Sequence, residues 1–232
     1  MQPRLVSYRL CSFAQRVAIV LHQKAIAHEI EYIELSDPPK WFLELLPFRK
    51  VPLLHVDGQV LWESSAINEY LDEAYPNKLH PADPVLRAKN RAWIELGNQL
   101  TWAVFQLSVK ETESEFLAVR DEIFNKFDVL EAAIEGYPFF NGEAFSLVDA
   151  SYAPLLQRLG FMDRIMSGML DNERHPRIIA WKDILMDHKA VLNSCVPEIG
   201  EIYYELLWKR QGYISQFLDK SRYDRNARKS LY

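Results

Sequence analysis

Cysteine is scarce in this chain of 232 residues: there are two, Cys11 and Cys195. Thiols so far apart imply no disulfide framework and favour a reducing compartment, which we take to be the cytoplasm. Long apolar runs are missing as well. None approaches the roughly 20 residues that span a bilayer. The opening Met1-Gln2-Pro3-Arg4 shows no basic segment ahead of an apolar core, so no signal peptide is expected. Positive charge is not in excess. The net charge of −5 argues against nucleic acid or an anionic membrane as a general partner. There is no glycine-rich phosphate loop, so nothing supports nucleotide binding. His22, His28, His55, His80, His175 and His188 show no ligand spacing with cysteine or acid, so no metal is expected. Internal repeats and low-complexity tracts are missing too.

What is present is an ordinary globular composition, 49% apolar and 25% charged, in a length that fits one large domain or two small ones. Up to about residue 77 the pattern alternates strand and helix. Residues 4–8 read as a strand and 13–23 as a helix. Residues 28–35 read as a second strand, with Ile30 and Ile33 set among glutamates. A short helix over 39–46 opens on Pro38-Pro39, where a missing N–H costs nothing. Residues 51–56 and 59–62 form a hairpin across Asp57-Gly58. A helix capped by Ser64 or Ser65 then runs to about Ala74. The order βαβαββα is that of a thioredoxin-like domain, assigned to residues 1–77. A proline-rich linker spans 78–86.

Beyond the linker only helical periods are found, over 85–109, 116–135, 147–159, 175–187 and 198–218. They make an all-α domain across 87–219. Ser146-Leu147-Val148-Asp149 has the form of a capping box. The basic residues Lys220, Arg222, Arg225, Arg228 and Lys229 mark 220–232 as a solvated tail.

The first strand runs through Ser7-Tyr8-Arg9-Leu10 into Cys11-Ser12-Phe13 and the first helix. A thiol at that junction meets unpaired N–H groups and the positive end of the helix dipole, which favour the reactive thiolate. An isolated cysteine elsewhere is more often a small buried hydrophobe. Ser7 and Tyr8 fall inside the strand pattern and are weaker candidates.

Three segments together resemble the cytosolic glutathione transferases. They are Cys11–Val17; Val51-Pro52-Leu53-Leu54 with Glu63-Ser64-Ser65-Ala66-Ile67; and Tyr70–Pro76 leading into the linker. The cysteine position is similar to the omega class and its bacterial relatives, whose motif reads Cys-Pro-Phe-Ala or Cys-Pro-Phe-Cys. Here Ser12 stands where proline is usual. The resemblance implies glutathione as co-substrate. Cys11 is then the preferred reactive group, and Ser12, able to cap the helix, is the alternative. Phe13 belongs to the glutathione site in this comparison. Val51, before a cis Pro52, offers its backbone to the cysteinyl part. Glu63 and Ser64 hold the γ-glutamyl end. The glycyl carboxylate needs a cation. The omega lysine falls at Pro38 here, so Lys50 is preferred and Lys40 is the other choice.

The resemblance implies monothiol exchange resolved by a second glutathione, because Ala14 supplies no internal thiol. The activity is that of a thiol transferase or dehydroascorbate reductase, or cleavage of glutathionyl thioethers. Two other readings stay open. One is conjugation of small electrophiles. The other is a non-catalytic binding protein, as in chloride intracellular channel relatives and translation factors. A small electrophile or disulfide would meet a wall near Trp102, Phe105 and Gln106. A homodimer is expected by analogy.

Overall fold

A computed structural model describes residues 2–45 and 49–219; the basic tail expected over 220–232 lies outside them. Strand β1 (Arg4–Ser7) leads to helix α1 (Ser12–Gln23), then β2 (Glu29–Tyr32), α2 (Lys40–Leu45), β3 (Leu53–Val56), β4 (Gln59–Trp62) and α3 (Ser64–Ala74). The sheet order is β2-β1-β3-β4. β1 runs parallel to β2, as a crossover through α1 requires, and the other neighbours are antiparallel. The hairpin turns on Asp57 and Gly58, both with positive φ (48° and 76°), which matches the twist of the strands. β3 starts at Leu53 and not at Val51, because Pro52 has no N–H to give the ladder.

The sheet is covered on both faces. On one, Phe42 of α2 packs with Val6, Ile33 and Leu53. On the other, Leu5 and Leu54 join Val17, Ile67 and Leu71 of α1 and α3. The α1 stretch Ala14 to Leu21 is buried throughout, because its outer side does not face water but meets the helical half.

That half contains α4 (Pro84–Leu107), α5 (Glu113–Ala133), α6 (Leu147–Asp163), α7 (Pro176–Asp187), α8 (Lys189–Leu192) and α9 (Ile199–Arg210). α4 opens inside the stretch read as linker. Asp83 caps it, accepting the N–H groups of Val85 and Leu86 at 2.8 Å, with Pro84 in the first turn. α6 is the central helix and is buried nearly all round. At its start Asp149 accepts the N–H (2.8 Å) and hydroxyl (2.6 Å) of Ser146. It also accepts the N–H of Phe140 and the indole N–H of Trp181. The Ser146–Asp149 motif therefore anchors two more segments besides its own helix.

Two expectations change here. α3 has Glu63 and not Ser64 or Ser65 at its N-cap, and the Glu63 side chain makes no capping hydrogen bond. The single helix expected over 198–218 breaks at Gln211, which has φ 54°, and resumes as a 3-10 turn at Tyr213–Phe217. The break has a packing cause. A Cβ on Gly212 would lie 2.8 Å from the Ser108 carbonyl oxygen, so the chain passes closely over the end of α4. The N–H of Tyr213 then donates to the Lys110 carbonyl at 2.6 Å.

Candidate active site

Sheet register brings the predicted residues to one edge. Val6 lies opposite Leu53, and Leu53 opposite Trp62. The chain following β1, the Val51-Pro52 step before β3 and the Glu63-Ser64 step after β4 therefore sit side by side. The Val51–Pro52 bond is cis.

Cys11 is the N-cap of α1, with extended backbone (φ −71°, ψ 108°). Its N–H donates to the Tyr8 carbonyl at 2.9 Å, closing the turn out of β1. Its sulfur accepts the Ala14 N–H at 3.4 Å, and its S–H faces the Val51 carbonyl at 3.7 Å. Ser12, expected to be able to cap the helix, is instead its first residue and half-buried. The cap belongs to the cysteine.

Burial pushes the Cys11 thiol up from its ordinary range. The Ala14 and Phe13 amides and the Arg158 and Arg16 guanidiniums pull it back in part. The expected amide help is present, but dense surroundings outweigh it, and those surroundings come from distant parts of the chain. The helix-tip amides therefore favour the thiolate as expected, while burial works against it.

Ser7 is buried in β1, its hydroxyl donating to the Tyr8 carbonyl at 3.2 Å. Tyr8 is half-buried, and burial raises its phenol further, with Glu34 adding to the rise. Ser64 is buried at the start of α3, while Glu63 is exposed in a left-handed backbone conformation with φ 65°. Such strain in a residue with a side chain is kept only where the surroundings demand it. Lys50 is exposed beside Val51, and Lys40 is exposed at the start of α2.

Phe13 meets Trp102 of α4 at 5.8 Å between ring centroids, and Trp102 meets Phe105 at 5.7 Å edge to face. Trp102 is 55% exposed and Phe105 39% exposed. This aromatic wall borders the start of α1. The guanidinium of Arg210, from α9, lies 4.5 Å over the Phe105 ring.

The sequence reading did not single out Gln15, Arg16 or Arg158, all buried at the seam between the halves. A signal for the last was present: Arg158 interrupts the apolar run Leu155-Leu156-Gln157-Arg158-Leu159.

A thioredoxin-like domain joined to an all-helical domain is the architecture of the two-domain glutathione transferase class. Residues 10–74 match the glutathione S-transferase N-terminal domain and residues 88–181 its C-terminal domain. The chain belongs to the glutathione S-transferase family. It is 32% identical over 192 residues to glutathione S-transferase omega-1 of Sus scrofa, covering 81% of this chain and 78% of that protein. It is 38% identical over 162 residues to the omega-1 protein of Rattus norvegicus, covering 68% and 67% respectively. A rice glutathione transferase solved in complex with glutathione shares the fold. Its TM-score is 0.79 at 24% identity, over 91% of this chain and 97% of that one.

Proposed function

We propose that this chain is a glutathione-dependent thiol transferase working through Cys11 and a mixed disulfide with glutathione. The observation that carries this reading is the sulfur's position. It caps α1, receives the Ala14 N–H and faces the Val51 carbonyl on the edge that Glu63 and Ser64 share.

The chemistry follows from thiolate–disulfide exchange. The ionised Cys11 sulfur attacks the glutathione sulfur of a mixed disulfide, GS–SR. A Cys11–SG bond forms, the bond to the second sulfur breaks, and RS⁻ takes up the proton that Cys11 released. A second glutathione then attacks the glutathione sulfur bound to Cys11, giving GSSG. Its proton passes to the departing Cys11 sulfur. The sum is RSSG plus GSH to RSH plus GSSG.

In this reading Val51 and Pro52 hold the cysteinyl backbone of glutathione, Glu63 and Ser64 its γ-glutamyl end, and Lys50 its glycyl carboxylate, with Phe13 alongside. Trp102 and Phe105 face the second substrate. No metal takes part. The cycle suits a reducing cytoplasm, and a homodimer completes the proposal.

Reduction of a glutathionylated peptide tests it against conjugation of an aryl halide. Cys11→Ser is expected to lower exchange by about a thousandfold or more. Exchange that continues unchanged removes Cys11 from the role. A Cys11→Ser chain that still conjugates the halide supports Ser12 and the conjugating alternative. Glutathione binding without either reaction supports the non-catalytic one.

A further inference from the structure

Arg158 is 2% exposed and Arg16 1% exposed. Among the described residues, neither has a carboxylate within ion-pair distance. Arg158 is solvated by neutral groups only. Its Nη1 donates to the side-chain oxygens of Gln15 and Gln157 and to the Pro154 carbonyl, and its Nη2 to the Leu10 carbonyl at 3.4 Å. Its buried Nε has no hydrogen-bond partner. Arg16 is held by Thr101 and Asn98 of α4, and Asn98 donates in turn to the Glu95 carboxylate at 2.8 Å, so Glu95 answers part of the Arg16 charge at one remove. Arg16 lies 4.9 Å from the Phe13 ring centroid. Its Nε is unpartnered as well. Burial lowers Arg16 to about 10, so it stays charged at neutral pH.

A fold does not keep a buried cation without an anion unless something else uses the charge. The groups able to become anions around Arg158 are Tyr203, Cys195 and Cys11, in falling order of influence. Burial keeps Tyr203 of α9 neutral, and it raises Cys195, which follows α8 and which Arg158, Gln157 and Ser194 pull back in part. Burial raises Cys11 too, and what separates it from Cys195 is its backbone partners. It alone takes the Ala14 and Phe13 amides, and the guanidinium of Arg158 bonds residues on both sides of it, Leu10 before and Gln15 after. Tyr8, the other ionisable group at this turn, is also held neutral by burial.

We propose that Arg158, seconded by Arg16, is a positioning residue whose charge balances the ionised Cys11 sulfur. Arg158 touches neither substrate nor the reacting bond in this arrangement. It sets the fraction of enzyme carrying a thiolate, and Gln15 sets where its guanidinium points. Gln15 is itself pinned by its Nε2, which donates to Gln157 and to Ser194, both at 3.1 Å. The inference rests on Cys11 being the nucleophile.

The test reads ionisation without turnover. In a Cys195→Ser background, Cys11 is alkylated with neutral iodoacetamide from pH 6 to 10. Adding Arg158→Gln is expected to move the midpoint upward by one unit or more, about a tenfold slower reaction at pH 7. Arg158→Lys is expected to restore most of the rate. A midpoint unmoved by Arg158→Gln in a folded chain overturns the proposal. Should that variant fail to fold, Cys11→Asp and Cys11→Asn are compared with both arginines intact. The aspartate chain is expected to melt higher at pH 7 and to lose its advantage on acidification, since its carboxyl would be held below its ordinary range. An aspartate chain that melts lower at pH 7 overturns the proposal. If Arg158 moves the midpoint while Cys11→Ser leaves exchange untouched, the pairing stands and the thiol transferase reading falls.

Discussion

Removing the Asp72 carboxylate should unfasten the linker from the first half. Asp72 lies buried near the end of α3. One carboxylate oxygen accepts from Lys24 Nζ at 3.2 Å and from the Leu79 N–H at 2.6 Å, and the other from the His80 N–H at 3.2 Å. The Lys24 side chain is 0% exposed and donates also to the Asn77 carbonyl at 2.8 Å. The pair thus ties the end of α1 to α3 and to the linker. Asp72→Ala strands a buried ammonium and two amides. Losing one partner of a buried ion pair costs about 3–5 kcal/mol. In a chain of this size each kcal/mol is worth about 2–4 °C, so the melting temperature should fall by about 10 °C. Urea titration gives the free energy directly, provided the slope with denaturant is unchanged. Replacing both partners, Lys24→Met with Asp72→Leu, should recover the share due to the stranded ammonium and leave that of the two amides. A loss under about 1 kcal/mol for Asp72→Ala, or a double variant as unstable as the single one, would refute the reasoning.

Two further outcomes follow from local geometry. Glu63→Gly relieves a left-handed backbone worth about 1–2 kcal/mol against an added chain entropy of about 0.5–1 kcal/mol. The melting temperature should therefore rise by about a degree or two, while glutathione affinity, read by calorimetry, falls about tenfold with the lost charge; unchanged affinity removes Glu63 from the site. Asp128 titrates at about 2, below its ordinary 3.8, chiefly because Arg174 donates to both its oxygens (2.9 and 2.7 Å), with His175 adding a further contact at 3.0 Å. Its contribution is complete above the ordinary value and is lost as pH falls toward 2, so Asp128→Asn should flatten the acid limb of urea melts between pH 5 and 2, and an unchanged limb would count against the assignment.

Most of the fold could be read from the residues because its signals are local. The Asp57-Gly58 turn, the Ser146–Asp149 box and the three-and-four spacing of α4 each depend on neighbours a few positions away. Misread points depended on distant chain. Gly212 falls inside the single helix read over 198–218, because the Ser108 carbonyl that it passes over is remote in sequence. Ser64 and Ser65 are good caps in isolation, yet the hairpin geometry gives the cap to Glu63. Residue types and order put forward Cys11, Val51, Pro52, Glu63 and Ser64 as candidates, and sheet register explains why they lie side by side. The balance of charge at the sulfur was not legible. It depends on Arg158, 147 positions further along, and on burial that no local pattern encodes.

Helix α1 has no solvent side. Its apolar residues belong to the same cluster as Leu5 and Leu54 of the sheet and as Leu155, Leu156 and Leu159 of α6. The two sequence domains therefore share a wall, and neither is a separable module. A fragment ending at the linker would carry a greasy, arginine-bearing helix into water. Heat or urea should dismantle both halves in one concerted event. Swapping the helical half for that of a relative would succeed only if Gln15, Arg16 and their partners on α4 and α6 travelled together.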